Sequence, residues 1–207
     1  MMIVYPTQQY WDDRYGKQRD KTVGCNSFTI EQFSKKTEES IDLAKAIIDP
    51  IFIGRRVLDF GSGVGRFSAM LSQFCSHVHG VDISEWAVGK ARTRSPKCNF
   101  KVYDGRTIPY GNEFFEGCFS WTVLQHIPPT EINGICDEIS RVLKGGSPLV
   151  IYENISTWQE DKVHIWFRRP KDYMIFFPEF RVESEKIVND FDRTGEDHVL
   201  FVFRKNL

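Results

Sequence analysis

The sequence predicts an α/β protein: a doubly wound, mostly parallel seven-stranded sheet closed by a C-terminal antiparallel hairpin. Three observations carry this. Short apolar runs alternate with helix-period segments from Arg56 to Glu153, the pattern of a parallel sheet with crossover helices. A glycine cluster, "GSGVG" (61–65), stands where the first run gives way to the first helical pattern. Near the end, two strand-like runs are joined by a connection too short for a crossover helix, which makes them antiparallel.

The elements follow in order. Ile30, Phe33, Ile41, Ala44, Ile47 and Ile48 form an apolar stripe that predicts a helix over Thr29–Ile48, with Asp49-Pro50 as its stop. Arg56–Phe60 reads as the first strand. Phe67, Met70, Leu71 and Phe74 then share one face of a helix over Arg66–Phe74. His77–Asp82 is the second strand, and Ser84 is a good N-cap for the helix after it. Asn99–Asp104 alternates as a third strand and Glu116–Trp121 makes a fourth. Thr130 caps a helix whose face is Ile132, Ile135, Cys136, Ile139, Val142 and Leu143, and Ser147–Glu153 is a fifth strand. In the tail a helix around Lys171–Phe177 precedes "FRVES" and "HVLFVF", the closing hairpin.

Composition narrows the class. With 207 residues, 41% hydrophobic and 14% aromatic, the chain suits one globular domain with a proper core and excludes a disordered one. A net charge of −1 gives no global field toward nucleic acid or anionic lipid. The five cysteines are scattered, with no CxxC pair; this argues against a disulfide framework or a metal site and fits reduced thiols in a cytoplasmic protein. The opening "MMIVYPTQQYWDDRYG" has too short an apolar run for a signal peptide, and no stretch could span a bilayer.

Glycine in an ordered segment costs conformational entropy, so three in five residues imply a backbone shape that other residues cannot adopt. At a strand-to-helix turn such a loop aims main-chain N–H groups at one spot and lets a ligand approach closely. Gly61, Gly63 and Gly65 are therefore candidates to cradle a nucleoside-type ligand, with the Asp59 carboxylate beside them; the alternative is a tight structural turn. In doubly wound sheets ligands bind beyond the C-terminal strand ends. The residues there are Asp82 and Ser84, Asp104 and Gly105, and Thr122 and Gln125. Asp82, ending the second strand, is placed to accept hydrogen bonds from two ribose hydroxyls.

Dinucleotide folds use G-x-G-x-x-G, whereas here the third glycine comes one residue early. The G-x-G-x-G loop resembles the first motif of the S-adenosylmethionine-dependent methyltransferases with a Rossmann-like core, of the small-molecule type. "GVDIS" is similar to their acidic ribose motif and "YDGRTIPY" to the loop whose Asp faces the adenine. "FFEGCFSWTVLQHIPP" resembles their fourth strand and its exit, and "EISRVLKGGSPLVIYE" their last core helix, turn and fifth strand. The ordered set covers Arg56 to Glu153. Departures are Gly145 in place of the turn's usual proline, Glu116-Gly117 at a strand start expected to fray, and Trp121 where small or amide residues are frequent.

The resemblance implies S-adenosyl-L-methionine as cofactor and S-adenosyl-L-homocysteine as product. Gly61 and Gly63 would lie against the donor with Asp59 near its ammonium group. Asp82 would hold the ribose, Ile83 would pack on adenine, and Asp104 would accept from the adenine amino group beside Gly105 or Arg106. Thr122 and Gln125 would border the methionine part. "YWDDRYG" resembles a segment that precedes the core in relatives; its Trp11 and Tyr15 fold over the donor as a lid, or anchor an N-terminal segment to the domain. The chain then reads as a single methyltransferase domain: an N-terminal lid and helix over 1–50, a cofactor-binding core over 56–153, and an acceptor wall with hairpin over 154–207.

Methyl transfer needs nucleophile and methyl held in line and dry, with no metal. His126 is the candidate general base, or a packing residue; His164 is a more distant candidate. The aromatic segment after the fifth strand, with Trp158, Trp166, Phe167 and Tyr173 and the nearby Arg168, Arg169 and Lys171, either walls a pocket for a flat or anionic small molecule or is core. The expected reaction is methylation of an O or N atom of a small-molecule acceptor. Methylation of RNA or protein, and a non-catalytic regulatory domain, are the alternatives.

Overall fold

The computed structural model describes residues 8–18, 30–155, 165–190 and 196–207; Cys25, Trp158 and His164 lie outside the described residues. The chain divides into two compact units, Thr7–Tyr103 and Asp104–Leu207. The first holds α1 (Gln8–Gln18), α2 (Ile30–Phe52), β1 (Arg56–Phe60), α3 (Arg66–Leu71), β2 (His77–Asp82), α4 (Glu85–Arg94) and β3 (Asn99–Val102). Its strands lie in the order β3-β2-β1, all parallel. The second holds β4 (Gly117–Trp121), a 3₁₀ turn (Leu124–His126), α5 (Ile132–Val142), β5 (Pro148–Asn154), α6 (Pro170–Phe176), β6 (Phe180–Asp190) and β7 (Glu196–Lys205). Here the order is β4-β5-β7-β6, with β4 and β5 parallel and β7 antiparallel to both its neighbours. Seven strands, mostly parallel with an antiparallel C-terminal pair, are the predicted α/β architecture.

Burial follows the sequence pattern. Val57, Leu58 and Phe60 of β1 are fully enclosed, as are Ile132, Ile135, Cys136, Ile139 and Val142 along the inner face of α5. All of β5 is buried, including Glu153 and Asn154. Among the described residues, no helix is long and apolar enough to cross a membrane.

Several boundaries differ from expectation for local reasons. Pro50 does not stop α2, which runs on to Phe52. Proline disrupts the bond and the carbonyl one turn behind it, and what ends this helix is Gly54, left-handed at φ 70°, with its amide turned to the Phe74 carbonyl at 2.9 Å. α3 is shorter than predicted: beyond Leu71 tight turns such as Phe74 N to Leu71 O carry the chain to β2. α5 is capped by Glu131 and not by Thr130, with no side-chain cap bond. The start of β4 does not fray, because Phe115 is pinned by bonds to Val142 O (2.9 Å) and from Lys144 N (3.0 Å), and Lys144 pairs with Glu116 at 2.8 Å. The polar stretch 185–190 is part of β6 and not a loop. An edge strand exposed along 181–187 has no apolar face to reveal it.

β2 passes so close to its neighbours that Gly80 has no room for a side chain. A Cβ there would lie 2.5 Å from the Phe100 ring and 2.8 Å from Ser62 Cβ. Gly80→Ala is expected to cost about 1–3 kcal/mol by overpacking, lowering Tm by roughly 2–10 °C. Thermal unfolding monitored by circular dichroism checks it; an unchanged Tm would show that Phe100 moves aside freely.

Candidate functional site

In the first unit the loop after β1 has the shape that its glycines predict. Gly61, Gly63 and Gly65 have φ of 70°, 52° and 78°, the left-handed region where a side chain is strained. Between them Ser62 and Val64 are buried. The amides of Gly61 and Ser62 both donate to Val81 O, at 2.9 and 3.0 Å, lashing the loop to the end of β2. One residue on, Asp82 completes the tie: Oδ2 accepts from Gly63 N at 2.8 Å and Oδ1 from Ser84 N at 2.9 Å. Ser84 caps α4 by accepting from Ala87 N at 3.1 Å, with half-buried Ile83 between the two. Burial pushes the Asp82 carboxyl up to about 6, against the opposing pull of these amides.

Asp59 faces inward. It is 2% exposed and accepts from the Ser68 hydroxyl of α3. Burial pushes its carboxyl up to about 7, with the Ser68 bond opposing and the Asp82 charge adding. α1 brings Trp11 and Tyr15 of "YWDDRYG" to the loop. Tyr15 is buried with Val64 and Ala87, Trp11 packs on that cluster, and Tyr15 stacks on Trp86 with centroids 5.5 Å apart. A Cβ on Gly63 would meet the Tyr15 hydroxyl at 2.9 Å. The structure thus gathers Gly61, Gly63, Gly65, Asp82, Trp11 and Tyr15 around one loop, while the Asp59 carboxyl turns to α3.

In the second unit Asp104 is exposed. Its Oδ1 accepts from Arg106 N at 2.8 Å and Thr107 N at 2.7 Å around Gly105, left-handed at φ 79°. Those amides hold its carboxyl below the usual range. At the end of β4, Thr122 has φ 54°, an outlier for a β-branched residue costing about 1–3 kcal/mol. Its amide donates to Tyr152 O and its hydroxyl to Trp121 O, both at 2.7 Å.

The turn after Thr122 is held at both ends by buried charges that sequence reasoning did not assign. Glu153, fully enclosed, accepts from Val123 N (3.0 Å) and Leu124 N (2.8 Å) on one oxygen and from Gln125 N (3.0 Å) on the other. Buried Arg168 donates to Leu124 O at 2.7 Å and to Ile127 O. A carboxylate therefore meets the amide end of the turn and a guanidinium its carbonyl end, the favourable pairing with the peptide dipoles. Burial pushes Glu153 up to about 7, while the three amides and Arg168 pull the other way. The available signal was a charge closing the otherwise apolar run "PLVIYE"; Arg168 stood out in the sequence only as one of three basic residues in an aromatic segment.

Gln125 is buried, its Oε1 accepting from Asn154 N at 3.0 Å and its carbonyl from Trp166 N at 2.8 Å. Half-buried His126 lies with Nε2 3.4 Å from the Gln125 amide nitrogen. Trp166 and Phe167 are half-buried and Tyr173 is fully enclosed, tilted against Phe201. Trp121 stacks on Tyr152 at 3.9 Å, and Tyr152 on His198 at 4.8 Å. Of the three basic residues predicted for this region, Arg168 is buried on carbonyls, whereas Arg169, paired with Asp172 at 3.2 Å, and Lys171 are exposed.

A parallel sheet whose first strand exits through a left-handed glycine loop, tied to the acid ending the second strand, defines a nucleoside-cofactor fold of the Rossmann-like class. Residues 57–146 of the chain match the family described as "Methyltransferase domain". Over 122 residues, 54% of this chain and 33% of the relative, it is 33% identical to 24-methylenesterol C-methyltransferase 2 of Arabidopsis thaliana. Over 111 residues, 50% of this chain and 29% of the relative, it is 33% identical to a sterol 24-C-methyltransferase of Gibberella zeae. The chain spans about a third of the length of these curated relatives. Among solved structures, phosphoethanolamine N-methyltransferase 1 of Haemonchus contortus, in complex with phosphoethanolamine and S-adenosylhomocysteine, superposes with a TM-score of 0.76 at 16% identity, covering 97% of this chain and 48% of that one. Magnesium protoporphyrin IX methyltransferase of Synechocystis, with bound SAH, gives a TM-score of 0.74 at 16% identity, over 96% and 98% of the two chains.

The burial of Asp59 sets a pH dependence. Unfolded, the carboxyl titrates near its ordinary 3.8; folded, near 7. Between these values the folded chain holds a proton that the unfolded chain has lost. Stability is thus full below about pH 4 and declines as pH rises through about 7. Asp59→Asn retains an acceptor for Ser68 and removes the charge, so it is expected to flatten this decline and add about 1–3 kcal/mol at pH 8. Urea unfolding at pH 5 and pH 8 checks it; a variant less stable than wild type at pH 8 would show that the ionised form is preferred.

Proposed function

We propose that the protein transfers the methyl group of S-adenosyl-L-methionine to a small-molecule acceptor, releasing S-adenosyl-L-homocysteine. The observation that carries this reading is the tie between the glycine loop and Asp82. That carboxylate already holds the amides of Gly63 and Ser84 on separate oxygens, with Ile83 N contributing as well, and a carboxylate offers about four acceptor positions. The remaining capacity would serve a ribose hydroxyl. Gly61 turns the main chain beside that carboxylate at φ 70°, Gly63 and Gly65 are closed over by the Tyr15 hydroxyl and by Ala91 with Phe100, and half-buried Ile83 is the apolar neighbour for a base. Trp11 and Tyr15 cover the loop from α1, in keeping with a lid that excludes water.

The methyl on a sulfonium is already activated, so the protein's contribution is to hold nucleophile and methyl in line at about 3–3.5 Å, shielded from solvent. An oxygen or nitrogen acceptor that must lose a proton needs a base, for which His126 is the candidate. The wall proposed for the acceptor is Trp166 and Phe167. Arg168 is engaged on main-chain carbonyls, while Arg169, paired with Asp172, and Lys171 stay exposed beside the aromatic wall, which suits a flat or anionic acceptor. A second reading, transfer to carbon, is favoured by the curated relatives, which are named as sterol C-methyltransferases.

The test is incubation with S-adenosyl-L-methionine and panels of phenols, amines and sterols, following release of S-adenosyl-L-homocysteine. Release with a sterol alone moves the reading from O or N to C; release with none of the panels, by protein that binds the donor, overturns the small-molecule reading. Calorimetry tests the donor separately. Asp82→Asn is expected to weaken S-adenosyl-L-homocysteine binding roughly 10- to 150-fold by loss of charge-assisted hydrogen bonds. Since burial holds that carboxyl near 6, affinity should fall as pH drops below about 6 and the acceptor form is lost. Tight NAD binding, with no response to either sulfur nucleoside, would overturn the donor.

A further inference from the structure

We propose that Asp12 is a positioning residue for the methyl donor: it latches α1 over the glycine loop and so sets how long donor or product stays bound. The inference rests on the donor reading above and concerns the first unit alone. α1 has eleven residues and a polar composition, with i,i+4 contacts such as Gln9 to Asp13 at 2.8 Å and Arg14 to Tyr10 at 3.3 Å. A helix of that length is marginal in water by itself. Its order comes from docking, and the docking has a polar anchor. Asp12 Oδ1 accepts from the Ser84 hydroxyl and from Trp86 N at 3.2 Å, at the start of α4. It therefore supplies a negative charge where the helix dipole and exposed amides favour one.

Ser84 is what gives the latch a functional address. Its hydroxyl binds Asp12 while its amide binds Asp82 at 2.9 Å, so one residue joins the lid to the carboxylate proposed for the ribose. The Asp12 charge also contributes to raising the Asp82 carboxyl, which places the two within electrostatic reach. One turn beyond Asp12, Tyr15 stacks on Trp86 and holds its hydroxyl over Gly63. The Tyr15 hydroxyl fills the space that a side chain on Gly63 would take, so α1 borders the loop, and a donor on the loop would enter and leave past that helix. Asp12 holds the helix against α4.

In the full-length protein, Asp12→Ala is expected to raise amide exchange in residues 8–18 at least roughly tenfold while the strands keep their protection. The dissociation rate of S-adenosyl-L-homocysteine, measured by stopped-flow tryptophan fluorescence, should rise roughly 10- to 100-fold. Asp12→Asn keeps an acceptor at the same place and is expected to stay within about threefold of wild type. Wild type that binds S-adenosyl-L-homocysteine, with an Asp12→Ala variant that releases it no faster, overturns the latch and leaves the donor reading standing. Wild type that does not bind it overturns both. A loss of protection spread evenly over the fold, without a change in release rate, also overturns the latch, because it marks Asp12 as structural.

Discussion

Asp82 accepts the amides of Gly63 and Ser84 on separate oxygens, and each bond fixes a different piece of backbone. The first closes the left-handed loop against β2; the second sets the entry of α4. Remove the carboxylate and both segments lose a partner for a buried amide. The cost of keeping it is visible in its acidity, since burial disfavours the ionised form and pushes it up to about 6. The amides of Gly63 and Ser84 offset part of that cost, since both favour the ionised carboxylate.

The second unit repeats the device at the end of β5. Glu153 takes three amides of the turn after β4, and Arg168 takes two of its carbonyls. Neither charge is available to solvent, and each alone would be costly to bury. Together they brace a short segment that contains the strained Thr122 and presents Gln125 and His126. The strain at Thr122 persists because its neighbours over-determine it: a main-chain bond to Tyr152 behind and the Glu153 carboxylate ahead. Conformational precision at that turn is bought with two buried charges.

Much of this was legible in the sequence. The alternation of runs revealed the sheet, the glycine spacing revealed a left-handed loop, and Asp82 and Ser84 were recognisable from their places at a strand end and a helix start. What escaped has physical reasons. The extent of β6 was hidden because an exposed edge strand needs no apolar alternation, so Glu185 to Asp190 reads as loop. Pro50 looked like a stop because its rule concerns the preceding turn, while Gly54 made the actual end. The roles of Glu153, Arg168 and Asp12 depend on partners 28 to 74 residues away, and no local pattern encodes such contacts. Asp59 was visible as a carboxylate, but only the packing shows that it turns to Ser68 of α3.

The same distinction bears on the acceptor. The family match ends at residue 146, so it carries no information about residues 165–207. What this chain places there must be read from its own packing. Of three basic residues in the aromatic segment, Arg168 is buried on main-chain carbonyls, while Arg169, paired with Asp172, and Lys171 remain exposed. Tyr173 is sealed in the core. Trp166 and Phe167 remain half-buried, with the Trp166 amide tied to Gln125 and hence to the turn that Glu153 braces. The segment thus carries half-buried aromatic surface beside exposed cations, and the Trp166 amide fixes it to that turn.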